Sequence, residues 1–132
     1  MQITRQADYG IRAIRYLARQ GADQRVATST VAREMKIPPS FLAKIVGQLS
    51  IAGLLRTTRG ARGGVSLRRE PKDISMLDVV EAIDGPIMLN ECVGKINRCA
   101  LKDDCLVHPI WQEVQDSLVD RLRATRFDVS LN

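Results

Sequence analysis

Cys92, Cys99, Cys105 and His108 fall within seventeen residues, spaced C-x6-C-x5-C-x2-H, and the remaining 115 residues hold neither cysteine nor histidine. Thiolates with an imidazole are ligand types for zinc and for iron–sulfur clusters, so the clustering points to one metal or iron–sulfur site, a sensor more than a structural staple. An odd number of thiols cannot all pair as intrachain disulfides, and no signal-like or membrane-spanning apolar run is found, so a reducing cytoplasm with no membrane partner is expected. Structural zinc sites usually show tight C-x2-C pairs, which are missing. Three cysteines with a histidine nevertheless remain a legitimate tetrahedral zinc set, and neighbouring thiols can also switch directly by oxidation. A small iron–sulfur electron carrier or an enzyme is disfavoured. The ferredoxin spacings and a phosphate-binding glycine loop are absent, and one histidine without a nearby nucleophile furnishes no triad.

The charge map indicates what such a sensor is attached to. From Met1 to Lys72 there are fourteen Lys and Arg against four Asp and Glu, a net of +10; from Asp73 to Asn132 there are six against eleven, a net of −5. A basic half joined to an acidic half is expected when one part meets a polyanion and the other does not, which makes nucleic acid the leading partner. Aromatic residues are only 4% of the chain, against a stacking platform for single strands.

The basic half must position its charges. Ile3, Ala7, Ile11, Ile14, Leu17 and Ala18 recur at helical steps and predict a helix over about 3–20. Its other face carries Arg5, Asp8, Arg12, Arg15 and Arg19, a basic stripe in which Asp8 can pair with Arg12 one turn on. A short helix is predicted over Thr28 to Met35. Lys36-Ile37-Pro38 breaks it, and Pro39-Ser40 opens a second with Phe41, Leu42, Ile45, Leu49 and Ala52 in register, capped near Gly53. This is the plan of a helix-turn-helix whose second helix enters the major groove. Two short strands, Leu54 to Thr58 and Gly64 to Arg68, then flank a glycine-rich tip bearing Arg59 and Arg62, a wing slim enough for the minor groove.

In the acidic half, Ile74 to Ile83 reads as a helix ending at Asp84-Gly85-Pro86, and periodicity disappears between Pro86 and His108. A loop of that length is uncommon unless it is functional, and ligation would supply its cross-links. From Pro109 to about Arg126 a helix of roughly 27 Å resumes, with Ile110, Trp111, Val114, Leu118 and Leu122 on one side. Little core is left to cover it, so pairing with a second copy is expected. Met76 and Met88 read as core fillers. The fold class is mostly α, a winged helix-turn-helix with a two-strand wing and a long C-terminal dimerisation helix. Its parts are a DNA-binding domain over 1–72, a connecting helix and cysteine loop over 73–108, and a dimerisation helix and tail over 109–132.

These residues resemble the dimeric winged-helix transcription regulators that include IscR, NsrR, RirA and CymR. The resemblance rests on Ile3-Thr4 with Asp8-Tyr9-Gly10, on Ile37-Pro38-Pro39-Ser40-Phe41-Leu42, on Arg59-Gly60-x-x-Gly63-Gly64, and on Ile74 to Gly85 with Asp78-Val79 inside. Cys105-Leu106-x-His108-x-x-Trp111 looks like the IscR branch. That likeness implies an iron–sulfur cluster held by Cys92, Cys99, Cys105 and His108, with [2Fe-2S] favoured. The nitric-oxide-sensing branch uses an N-terminal aspartate, often the partner chain's, around a [4Fe-4S] cluster, and Asp8 matches that position. His108 is the favoured fourth ligand and Asp8 the alternative. The resemblance further implies a homodimeric repressor on a palindromic operator in double-stranded DNA. Ser40, Phe41, Ala43 and Lys44 would face the major groove, Arg59 and Arg62 the minor groove or its phosphates, and Arg5, Arg12 and Lys36 other phosphates. Ala43 stands where IscR has an acidic residue, so the operator sequence is not carried over.

Overall fold

The computed structural model describes residues 2–94 and 99–128; the centre of the cysteine loop and the end of the tail lie outside the described residues. Thr4 opens the first helix, α1 (Arg5–Gln20), by accepting the Ala7 N–H at 3.1 Å on its side-chain oxygen. That satisfies one of the amides a helix start leaves without a partner. Ile3 therefore precedes the helix and is exposed, a correction to its placement on the buried face. Ala7, Gly10, Ala13, Ile14 and Leu17 make that face instead.

Helix α2 (Thr28–Met35) stops at Lys36, whose φ of 54° and ψ of 48° place it in the left-handed region. There its N–H can turn back to the carbonyls of Ala32 and Arg33, and Ile37 N–H follows to Ala32 at 2.9 Å. Pro39 then begins α3 (Pro39–Ile51), which buries Leu42, Ile45, Val46 and Leu49. Strands β1 (Leu55–Thr58) and β2 (Gly64–Leu67) pair antiparallel with Leu55 opposite Leu67 and Thr58 opposite Gly64. Leu55, Val65 and Leu67 turn inward, and an isolated bridge from Val26 to Val65 ties the wing to the segment before α2.

Helix α4 (Met76–Asp84) starts with a capping box, Ser75 and Asp78 each bonding the other's backbone N–H. It crosses α1 at Gly10, where a Cβ would run into Ile83 and Val79. Its far end is held by Thr4, whose hydroxyl donates to Asp84. Short 3-10 turns at Glu91–Val93 and Lys102–Asp104 punctuate the cysteine loop before α5 (His108–Ala124).

The main core joins Ile14, Leu17, Val31, Leu42, Ile45, Leu49, Leu55, Val65, Ile74 and Val79, each contributing about 1.5–3 kcal/mol by leaving water. Phe127, 1% exposed, belongs to it too. After α5 the chain returns: Thr125 accepts the Met76 N–H at 2.9 Å and Phe127 donates to Pro71 and Ile74. The segment over 125–127 is thus docked on the N-terminal core. A smaller cluster of Leu77, Val80 and Ile87 packs against Leu118, Val119 and Leu122. The single apolar side read for α5 is therefore divided. Its second half is covered by α4 within the protomer, while Ile110, Trp111 and Val114 stay exposed. Met76 packs on the core as expected, but Met88 is 44% exposed and is no core filler.

Candidate metal centre and nucleic-acid interface

Loop and helix start bring the chemistry-bearing residues together. A cavity of about 170 Å³ is lined by Cys92, Cys99 and Cys105, by His108 and Trp111, and by Asn90, Glu91 and Val107. Cys92 sits in the Glu91–Val93 turn, anchored by buried Val93, and His108 is the first residue of α5. Cys92 and Cys105 are half-buried and Cys99 is exposed. His108 Nδ1 is buried without a hydrogen-bond partner among the described residues. An unpartnered buried ring nitrogen is costly in a protein and calls for a partner, which a bound group would supply. No side chain caps α5, so its positive end also lies at this cavity. Among the described residues, no three His, Cys, Asp or Glu side chains converge on one ion-sized point. The donors surround a space several times the roughly 30 Å³ share of a water molecule.

Asp8 does not line this cavity. It pairs with Arg12 at 2.8 Å, as the one-turn spacing predicts. Arg12 also lies 5.3 Å from the Tyr9 ring centroid and donates to the Met35 carbonyl at 3.4 Å, so it is engaged within the protomer. Tyr9 in turn meets Phe41 edge to face at 6.1 Å, joining α1 to the front of α3.

At the other end of the molecule, Ser40, Phe41, Ala43 and Lys44 are exposed on the first turns of α3. Arg59 and Arg62 are exposed at the wing tip, and Lys36 is exposed at the turn between α2 and α3. Arg25 donates to the Arg62 carbonyl at 2.9 Å and fixes one side of the tip. Arg5 is exposed at the start of α1. Neither α2 nor α3 has a side-chain cap, whereas α1 and α4 do. Pro39 brings no N–H to the start of α3, and at the start of α2 the Thr30 and Val31 N–H groups turn back to the Ala27 carbonyl.

The sequence reading missed Gln115, which is buried on α5 and bonds the backbone at Ile87 and Leu89. Its signal was present: it stands seven residues after His108, on the helix face that continues into the buried apolar positions. It also missed Phe127, an isolated aromatic after the helical pattern had ended.

Comparison with known proteins bears on these features. Residues 3–129 match the sequence profile of the Rrf2 family, described as iron-dependent transcriptional regulator. The HTH-type transcriptional regulator NsrR of Shouchella clausii is 32% identical over 114 residues, covering 86% of this chain and 76% of that protein. The solved structure of CymR, the global cysteine regulator of B. subtilis, superposes with a TM-score of 0.80 at 24% identity, over 99% of this chain and 95% of that one. IscR of T. potens superposes with a TM-score of 0.75 at 23% identity, over 99% and 86%. No described helix is long and apolar enough to cross a membrane. The exposed recognition helix and wing thus belong to a fold shared with DNA-binding regulators, and with the profile spanning nearly every residue, this chain is a transcription regulator of the Rrf2 family and not an enzyme.

Proposed function

We propose that this regulator is a cytoplasmic homodimeric repressor whose grip on a palindromic DNA operator is set by an iron–sulfur cluster held by Cys92, Cys99, Cys105 and His108. The observation that carries this reading is the shared cavity: all three thiols and the histidine line it, and the histidine Nδ1 is buried without a partner among the described residues. A cluster bound there would supply reversible electron uptake and sensitivity to oxidants and nitric oxide. The residues' own work is positional. Cys92 and His108 belong to the segment before the loop and to the start of α5, so joint ligation fixes the loop against the dimerisation helix. Two protomers would place their recognition helices about 34 Å apart, one turn of duplex.

Dimerisation is supported by an apolar strip that the protomer leaves open. Leu106 is 93% exposed, and Val107, Ile110, Trp111 and Val114 continue the strip along α5. A second copy related by a two-fold axis would bury it against itself.

Anaerobic reconstitution tests the reading. The expected product is coloured, holds iron and acid-labile sulfide, and loses both on Cys105→Ala, with operator affinity altered at least fivefold. His108→Ala and Asp8→Ala separate the two candidates for the fourth ligand. Loss of the cluster in the Asp8 variant alone assigns that role to Asp8, reached from the partner protomer. Colourless, iron-free protein would overturn the proposal, in favour of zinc or a thiol switch if the cysteine substitutions still change DNA affinity and of a plain DNA binder if they do not.

A further inference from the structure

Resting on the cluster-binding reading, we infer that Gln115 is the positioning residue that sets the Cys92 arm of the cavity against His108. Only 7% of Gln115 is exposed, and it lies two turns beyond His108 on the same face of α5. Its amide nitrogen donates to the Ile87 carbonyl and its amide oxygen accepts the Leu89 N–H at 3.0 Å. One side chain therefore holds both ends of a three-residue backbone stretch. Directly afterwards Asn90 accepts the Glu91 N–H at 2.8 Å on its side-chain oxygen, opening the turn that carries Cys92.

Position and chemistry both argue that the amide is there for this purpose. Further along the same helix, Leu118, Val119 and Leu122 pack on Leu77, Val80 and Ile87, so an apolar residue would be the economical choice at 115. A buried amide is tolerated only where its groups are satisfied, and here both are satisfied by the backbone that leads into the cysteine loop. Gln115 is not among the described residues that line the cavity, and its hydrogen bonds go to backbone; it acts through that backbone. It also needs no bound group, so the Cys92 arm is held in place before any iron arrives. Partners that orient ligands from behind commonly change metal affinity by 10–100-fold when removed.

Gln115→Leu removes both hydrogen bonds at similar volume, and Gln115→Glu keeps the acceptor for Leu89 while losing the donor to Ile87. In the metal-free full-length chain, Gln115→Leu is expected to speed amide exchange at Leu89 and alkylation of Cys92 about tenfold, with far-UV circular dichroism unchanged. After reconstitution, its cluster is expected to be lost to a chelator roughly tenfold faster, with an altered visible circular dichroism spectrum and midpoint potential. Gln115→Glu sets a carboxylate oxygen against the Ile87 carbonyl and should loosen the arm at least as far; Gln115→Met, which also lacks both hydrogen bonds, carries the comparison if the leucine variant does not fold. Unchanged Leu89 exchange and an unchanged spectrum and potential would overturn the assignment. If the wild-type chain takes up no iron, the function proposed above fails. The exchange and alkylation rates then decide the role of Gln115 by themselves, since faster rates support it and equal rates reject it.

Discussion

Gly64, where β2 leaves the wing tip, has no room for a single added carbon. A Cβ there would run into the carbonyl of Val26, a backbone atom held in a bridge that cannot swing aside as a side chain would. Gly64→Ala is expected to destabilise the fold by about 1–3 kcal/mol, read as a lowered midpoint in urea or thermal unfolding. Legibility at this scale followed chemical rarity. Cysteine and histidine are scarce enough in this chain that their clustering announces a site. Glutamine is common on exposed helix faces, so nothing in its type alone marks Gln115 as buried. Asp8 and Arg12 were readable because a one-turn spacing fixes their geometry within one helix. Arg12's contacts with Tyr9 and Met35 were not, since the latter depends on how α1 and α2 meet.

Among the elements, the helices and strands fell within about two residues of their expected ends, because caps and prolines are local signals. Pro39 at the front of α3 and Ser75 before α4 are of that kind. What covers an element is not local. Helix α5 has an apolar side from Ile110 to Leu122, yet only α4's position decides that Leu118 and Leu122 are covered while Ile110, Trp111 and Val114 are left open. The open half is the part available to a second copy. If the proposed dimer forms through this strip, Ile110→Glu combined with Val114→Glu should convert it to monomers in sedimentation velocity while leaving helix content unchanged, because both residues are exposed in the protomer. A persistent dimer would place the interface elsewhere.

For the molecule as a whole, the division of charge read from the sequence has a thermodynamic signature. A surface that neutralises phosphates releases condensed counterions, so the logarithm of operator affinity should fall linearly with the logarithm of salt concentration at a slope of about −0.9 per phosphate contact. Replacing Arg59 and Arg62 together by alanine should make that slope shallower by roughly two per protomer, measured by fluorescence anisotropy across a salt series. An unchanged slope would show that the wing tip does not meet the duplex. The winged helix was legible because its signals follow one another along the chain. The return of Phe127 to the N-terminal core was hidden, since it joins residues far apart in sequence and makes the tail part of the DNA-binding unit's interior.

Helix α4 is fastened at both ends, by Thr4 at Asp84 and by the Thr125 carbonyl at Met76. One end of this rod is thus tied to the start of the first helix and the other to the end of the last, a direct physical link between the two. In the dimer proposed above, a change at the cysteine end of α5 would then reach the two DNA-binding halves as a shift of whole bodies, without melting their cores. On that proposal, signal and address would be coupled through the gauge of the assembly, and the DNA sites gripped in each state would differ first in the distance between their halves.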